Sequence, residues 1–326
     1  MVKQKTRHAG TYRTEKTRSK KNIRLTKKLS VKVLFAIMVV CICAYGIVLL
    51  RNQEAKMSKK TACYGEMDAY NGENTAIPVS TAANGSTLDN RRILENAEVE
   101  NMLLQLALEN GDIAKIYADR ESYPEELLTA LAFNQEMLAF VQGYPDADTK
   151  AAGGFTEEEK EQDFPLFLQW DGRWGYVPYG GSCIGLAGCG PTCLSMVIFS
   201  LTEDENATPD ALADYGMSRG YYVAGAGTDW SFMTDAAQEY GLSVNQLRLD
   251  KTVMQQYLDS GHLLICSMGK GDFTRSGHFI VLYDYDEEGF LVNDPNSQER
   301  SGKRWDFDTL RWQIKNVWGY KKAVEC

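Results

Sequence analysis

The sequence predicts an α+β fold, because helix-like spacing of apolar residues is followed by short strand-like runs. The β-rich runs cover residues 262–268, 278–285 and 290–293. The acidic turn at 286–289 joins the last two runs as an antiparallel hairpin. Helices followed by antiparallel strands are typical of the α+β class.

An apolar segment near the N-terminus predicts one transmembrane helix. Residues 33–50 contain no charged residue, and a helix of this length spans about 27 Å, close to the bilayer core. A buried core helix is the first alternative, but core helices are seldom apolar all round. A cleaved signal peptide is the second, but no small-x-small cleavage site follows. The segment is therefore predicted to be an uncleaved signal anchor in the lipid bilayer.

Charge is distributed unevenly along the chain. Residues 1–32 hold 12 of the 35 Lys/Arg residues and one of the 44 acidic residues, whereas the part after residue 50 is strongly acidic. The positive-inside rule then predicts a cytoplasmic tail at 1–32 and an extracellular body. The basic tail lacks interleaved aromatic residues, and the membrane span accounts for its charge, so no nucleic-acid partner is predicted.

Composition divides the extracellular part into three regions. Residues 51–92 are polar and predict a flexible stalk. Residues 93–150 predict amphipathic helices, which serve as a spacer, a substrate-docking region or an inhibitory lid. The acidic, glycine-containing segment 151–163 is interpreted as a linker before a domain at 164–321.

Cys189 is the candidate nucleophile. Gly188 and Gly190 flank it and permit a tight backbone, while Pro191 suits a first helical turn. The thiol is therefore expected at a helix start, where unpaired N–H groups favour the thiolate. A small buried residue at a helix start is the structural alternative. Cys193 aligns with the apolar face of the same helix and is interpreted as a packing residue.

His278 is the candidate base, and Asp294 is the carboxylate expected to orient it. His278 opens one strand of the predicted hairpin and Asp294 ends the other. Both are equidistant in sequence from residue 286, so hairpin pairing predicts that they are neighbours, within a few residues of register. His262 is the competing base, but it has no comparable carboxylate partner and is interpreted as a loop residue.

Four motifs in order resemble the C39-like branch of the papain-like cysteine peptidases. They are QWDGRW at 169–174, GCGPT at 188–192, GHFIV at 277–281 and NDPN at 293–296. The resemblance covers about residues 164–321 and implies a papain-like fold. It implies that Cys189 attacks a carbonyl, His278 transfers the proton and Asp294 orients the ring. Gln169 would contribute to the oxyanion hole, although it stands farther before Cys189 than is usual, so residues 176–187 must loop out.

The resemblance implies a membrane-anchored cysteine peptidase or amide hydrolase that works through a thioester on peptides or cell-wall peptides. A transpeptidase or acyltransferase would need the same triad, and a non-catalytic surface binding module is the alternative from a different class. Processing of leader peptides inside an exporter is disfavoured, since the chain has one predicted span and no nucleotide-binding domain.

No metal, nucleotide or other cofactor is predicted, because the three histidines and the cysteines lack zinc-site spacing. Disulfide connectivity stays open for the other extracellular cysteines, which are Cys63, Cys183, Cys193, Cys266 and Cys326. The segment 227–230 has two interpretations, either as a lining of a substrate cleft or as a helix cap beside a buried tryptophan.

Overall fold

The computed structural model describes residues 85–224 and 227–324. The predicted tail at 1–32, the predicted span at 33–50 and the stalk up to residue 84 lie outside the described residues. Among the residues that the structure describes, no helix is long and apolar enough to cross a bilayer.

The first part of the described chain is helical, as predicted. It consists of α1 (Gly85–Glu109), α2 (Gly111–Ala118), α3 (Glu125–Phe133) and α4 (Leu138–Gly143), with 3-10 turns at Arg120–Ser122, Gln135–Met137 and Tyr144–Asp146. The apolar residues at helical spacing form a shared core that includes Val99, Leu103, Ile113, Ile116, Leu127 and Leu131. This packing supplies most of the stability of such short helices.

Helix α1 begins inside the segment that was predicted as stalk, so that prediction is wrong for residues 85–92. The polar composition of this segment hid the helix. Once the packed turn around Val99 and Leu103 has formed, each added residue contributes one hydrogen bond at little further cost, and no proline interrupts the segment.

The segment at 151–163 is anchored to the following domain. Phe155 is buried and its ring stacks on Phe167 at a centroid distance of 4.4 Å. Thr156 forms a capping box with Glu159 at the start of α5 (Glu157–Lys160). The Glu159 carboxylate also accepts two 2.7 Å hydrogen bonds from the Arg173 guanidinium. These contacts hold the segment against the domain that it precedes.

The rest of the chain alternates helices with antiparallel strands. The helices are α6 (Ile184–Ala187), α7 (Cys189–Thr202), α8 (Pro209–Ser218), α9 (Phe232–Glu239), α10 (Lys251–Asp259), α11 (Gln298–Ser301) and α12 (Phe307–Arg311). The strands are β1 (Pro178–Tyr179), β2 (Ser182–Cys183), β3 (Tyr222–Val223), β4 (Gly227–Thr228), β5 (Leu242–Leu247), β6 (Leu263–Met268), β7 (His278–Tyr285), β8 (Phe290–Asn293), β9 (Arg304–Trp305) and β10 (Ile314–Lys322).

Six strands form the central antiparallel sheet in the order β5-β10-β6-β7-β8-β9. Successive residues of β7 point to opposite faces, as the period of a strand requires. Phe279 and Val281 enter the core that contains helix α7, whereas Ile280 and Leu282 enter a second core on the other face. Burial on both faces explains why this strand is apolar without alternation.

The helical region and the sheet domain share one core. Trp170 and Cys183 from the sheet domain are buried together with the apolar residues of α1 to α4. The Tyr176 hydroxyl donates a 2.8 Å hydrogen bond to the Phe140 carbonyl, and the two rings stack at 4.4 Å. The region is therefore packed on the domain rather than separated from it as a loose spacer.

Candidate active site

Cys189 is the first residue of α7, at the helix start predicted from the sequence. It is partly exposed, whereas the helix is buried from Gly190 to Phe199. The first N–H groups of a helix have no partner within it, so they face the region of the sulfur. Gly190 is required here, because a Cβ would lie 2.7 Å from Thr228 Oγ1 of β4.

His278 and Asp294 form a direct hydrogen bond. The Nε2 atom of His278 lies 2.7 Å from Oδ1 of Asp294, and both side chains are buried. Because a carboxylate oxygen accepts, Nε2 carries a proton in this bond, and Nδ1 is the ring nitrogen that Asp294 does not engage. The predicted proximity is thus present in the structure, although the hairpin register is different.

The hairpin pairs Tyr285 with Phe290, and a bulge between Leu282 and Asp284 shifts the register so that Val281 pairs with Asn293. Counting symmetrically about residue 286 places the centre of the hairpin too early, because the pair Tyr285–Phe290 is centred between residues 287 and 288, and the bulge reverses only part of this offset. The chain leaves the strand after Asn293, and the side chain of Asp294 covers the remaining distance to His278.

The Asp294 carboxylate is fully buried and accepts hydrogen bonds on both oxygens. Oδ1 also accepts a 2.8 Å bond from the backbone N–H of Asn296. Oδ2 accepts a bond from Nε of Arg300, which lies on the short helix α11. Reasoning from the sequence missed Arg300; its only signal was a basic residue six positions after the candidate carboxylate.

The electrostatics of the pair favour the charged forms. Burial alone would lower the pKa of His278, but attraction to Asp294, the hydrogen bond with it and the nearby sulfur of Cys189 together raise it to about 10. Burial would raise the pKa of Asp294, but His278 and Arg300 outweigh this and lower it. At neutral pH, His278 is therefore an imidazolium, and it lines the same cavity as Cys189.

Gln169 is buried and lines the same cavity as Cys189 and His278. Its backbone N–H donates a 2.7 Å hydrogen bond to the carbonyl of Pro295, which ties it to the segment that carries Asp294. Its Nε2 atom donates to the carbonyl of Gly185 at 2.9 Å, while Oε1 has no partner among the described residues. The intervening segment forms strands β1 and β2 and helix α6, and its residues Gly185 to Ala187 also line the cavity.

The side chains of Gln169, Cys189 and His278 line a cleft of about 910 Å³. This volume is at the upper end of the usual range for ligand pockets, which is about 300–1,000 Å³. The segment at 227–230 lines the cleft, and Trp230 is 48% exposed rather than buried. The cleft interpretation of that segment is therefore the correct one.

The other candidates from the sequence lie elsewhere. His262 packs on the ring of Tyr257 and does not line the cleft. Cys193 is buried as predicted, and burial raises the pKa of its thiol well above the ordinary value. Within residues 85–224 and 227–324, the four cysteines are free thiols and no cluster of ligands fits a metal ion.

Comparison with solved structures finds distant similarities. One similar structure is the peptidase domain of Streptococcus ComA, a bi-functional ABC transporter involved in quorum sensing. Its sequence is 18% identical to this chain, and the TM-score is 0.34. The alignment covers 42% of this chain and 93% of that domain. A protein from Bacillus anthracis described as a C39-like peptidase is 14% identical, with a TM-score of 0.34 over 50% of this chain and 96% of its own. No curated protein sequence matches the chain.

Comparison with family models gives a match that covers just over half of the chain. The model of the Peptidase_C39 like family matches residues 161–325. The matched segment contains Gln169, Cys189, His278 and Asp294, and a cysteine peptidase of this kind needs a thiol, an imidazole and an orienting acceptor. The chain therefore belongs to the C39-like peptidase family.

Proposed function

We propose that this chain is a cysteine peptidase or amide hydrolase in which Cys189 is the nucleophile, His278 the acid and base, and Asp294 the group that orients His278. The observation that supports this most strongly is the His278–Asp294 hydrogen bond beside a cysteine at a helix start. The raised pKa of His278 keeps a positive charge on the ring, which suits a general acid next to the candidate nucleophile.

The reaction proceeds in two halves. The Cys189 sulfur forms a bond to the carbonyl carbon of a substrate amide, and the carbonyl oxygen takes up the negative charge. His278 then gives its proton to the departing nitrogen as the C–N bond breaks, which leaves a thioester on the enzyme. A water molecule attacks the thioester carbonyl while His278 accepts its proton. The C–S bond then breaks, the carboxylic acid leaves, and the Cys189 sulfur and the protonated His278 are regenerated.

Two donors support the negative oxygen in this proposal. One is the backbone N–H at the start of α7, which has no helical partner. The other is Nε2 of Gln169, which has two hydrogens and uses one of them on the carbonyl of Gly185. Donors that are already in position at the developing charge are worth roughly 10²–10³-fold in rate.

We further propose that residues 33–50 anchor the enzyme in the cell membrane, with residues 1–32 in the cytoplasm and the peptidase domain outside. The apolar sequence of the span and the basic residues before it support this topology. The substrates are then extracellular peptides or cell-wall peptides, which are exposed on that side of the membrane.

Hydrolysis and acyl transfer can be separated by following the fate of the thioester. The full-length chain, purified in a mild detergent, is incubated with a peptide mixture in ¹⁸O-water, and products are identified by mass spectrometry. Hydrolysis predicts new carboxyl termini with one ¹⁸O atom, and added hydroxylamine should divert part of the product to a hydroxamate. A different result, in which added amines give new amides and no ¹⁸O is incorporated, would establish a transferase instead.

A further inference from the structure

One side of the cleft is built by residues that lie outside the matched family segment. These residues come from α3 and the 3-10 turn that follows it, and we refer to them as the helical wall: Glu126, Thr129, Ala130, Phe133, Asn134 and Met137. The same cavity contains Cys189 and His278. A peptide that fills the cleft would therefore contact the helical region that precedes the peptidase domain.

The helical wall is fixed to the segment that holds Asp294. Nδ2 of Asn134 donates a 2.6 Å hydrogen bond to the carbonyl of Asn296. The carboxylate of Glu136, in the same 3-10 turn, accepts bonds from the Ser297 hydroxyl and from the backbone N–H of Gln298 at 2.7 Å. These contacts cap helix α11, which carries Arg300. The wall and the candidate catalytic groups are thus held in one arrangement.

Two large apolar side chains that line the cleft are partly exposed. Phe133 of the helical wall is 39% exposed, and Trp230 on the loop after β4 is 48% exposed. Apolar groups that converge in a concave site are the usual lining of a ligand pocket. They favour a ligand that brings an apolar surface of its own.

Most charged groups around the cleft already have partners. Arg275 lies 3.3 Å from Glu98, and its guanidinium lies 4.2 Å above the ring of Phe133. Asp272 accepts a 2.6 Å bond from Gln313. An anionic substrate that binds Arg275 would compete with Glu98 for the guanidinium, whereas an apolar side chain that packs on the exposed part of Phe133 leaves this ion pair in place.

We propose that the helical wall is a specificity-determining part of the substrate site, and that it selects peptides with a large apolar side chain near the scissile bond. Phe133 and Trp230 provide the apolar contacts for that side chain. This inference rests on the proposed peptidase function and names its class of substrate.

The test uses binding as well as cleavage, so that the two proposals can fail separately. Fluorescent peptides with Leu, Phe, Gly, Glu or Lys next to a common amide are titrated into the full-length Cys189→Ala chain. We expect the Leu and Phe peptides to bind most tightly, and Phe133→Ala to raise their Kd about tenfold, while the Gly peptide changes little. Leu108→Ala is the matched control, because Leu108 is exposed but does not line the cleft.

The outcomes are distinct. If peptides bind with an apolar preference that is lost in Phe133→Ala, but the unaltered Cys189 enzyme cleaves none of them, the inference holds and the peptidase function fails. The inference is overturned if the Kd values are unaffected by both Phe133→Ala and Trp230→Ala. A preference for the Lys peptide that disappears in Glu126→Gln would also overturn it, since Glu126 is the exposed acidic residue of the wall.

Discussion

Substitution of Cys189 by alanine should lower kcat/KM for peptide hydrolysis by about 10⁴-fold or more, to the level of background reaction. The other groups of the site act through this sulfur, because they activate it or stabilise the charge that its attack creates. No neighbouring side chain replaces it, since Cys193 is buried in the core. Initial rates of cleavage by the full-length enzyme provide the measurement.

Cys266→Ala is the matched control for loss of a thiol. Cys266 lies on β6 and is buried in the core on the face of the sheet away from α7. Its removal is expected to reduce stability and to leave the activity of the folded enzyme close to that of the wild type. Equal activity of Cys189→Ala and the wild-type enzyme would exclude Cys189 as the nucleophile.

Asp294→Asn should lower kcat by roughly 10³–10⁴-fold with little change in the fold. An asparagine amide has one accepting oxygen, whereas the carboxylate accepts bonds from His278 on Oδ1 and from Arg300 on Oδ2. The NH₂ group must therefore face one of these two donors, and the imidazolium loses its counter-charge. Arg300→Met, which leaves the carboxylate bonded to His278, should cause a smaller loss of kcat.

The Asp294→Asn substitution should also change the dependence of the free energy of unfolding on pH. The pKa of His278 rises from its ordinary value of 6.5 to about 10 in the fold, so its pairing with Asp294 stabilises the fold fully below pH 6.5 and less as the pH rises towards 10. The pKa of Asp294 is lowered, so the carboxylate contributes stability that is lost only as the pH falls through that lowered value.

Thermal unfolding of wild-type and Asp294→Asn protein across pH measures this difference. We expect the wild type to be more stable by about 3 kcal/mol at pH 5–6, since breaking a buried ion pair leaves a charge without a partner. The difference should shrink as the pH rises from 6.5 towards 10, and the part that remains near pH 10 reflects the pairing of Asp294 with Arg300, which keeps its charge. A difference that does not vary with pH would show that Asp294 and His278 are not coupled.

Local sequence signals predicted much of the candidate site. The glycines and proline around Cys189 placed it at a helix start, and the helix begins at that residue. The hairpin predicted that His278 and Asp294 are neighbours, because the turn between them is short. These features depend on residues close together in the chain, and local propensities report such features well.

Long-range contacts could not be predicted in the same way. Strands β5 and β10 were missed because β5 is largely exposed and polar, so its pattern resembles a loop until it pairs with β10. The role of Glu136 depends on a residue 161 positions away, and no spacing rule connects it to Ser297. The helical wall is a consequence of such contacts.

The most direct test of the account is the rate at which iodoacetamide alkylates Cys189 as a function of pH. Peptide mapping measures this rate on the wild-type chain and on His278→Ala, with His262→Ala as the control. A thiolate–imidazolium pair predicts fast alkylation between about pH 5 and 7 in the wild type and in His262→Ala, and its loss in His278→Ala. Alkylation that rises only near pH 8.5, as for an ordinary thiol, and is the same in all three proteins would contradict the account.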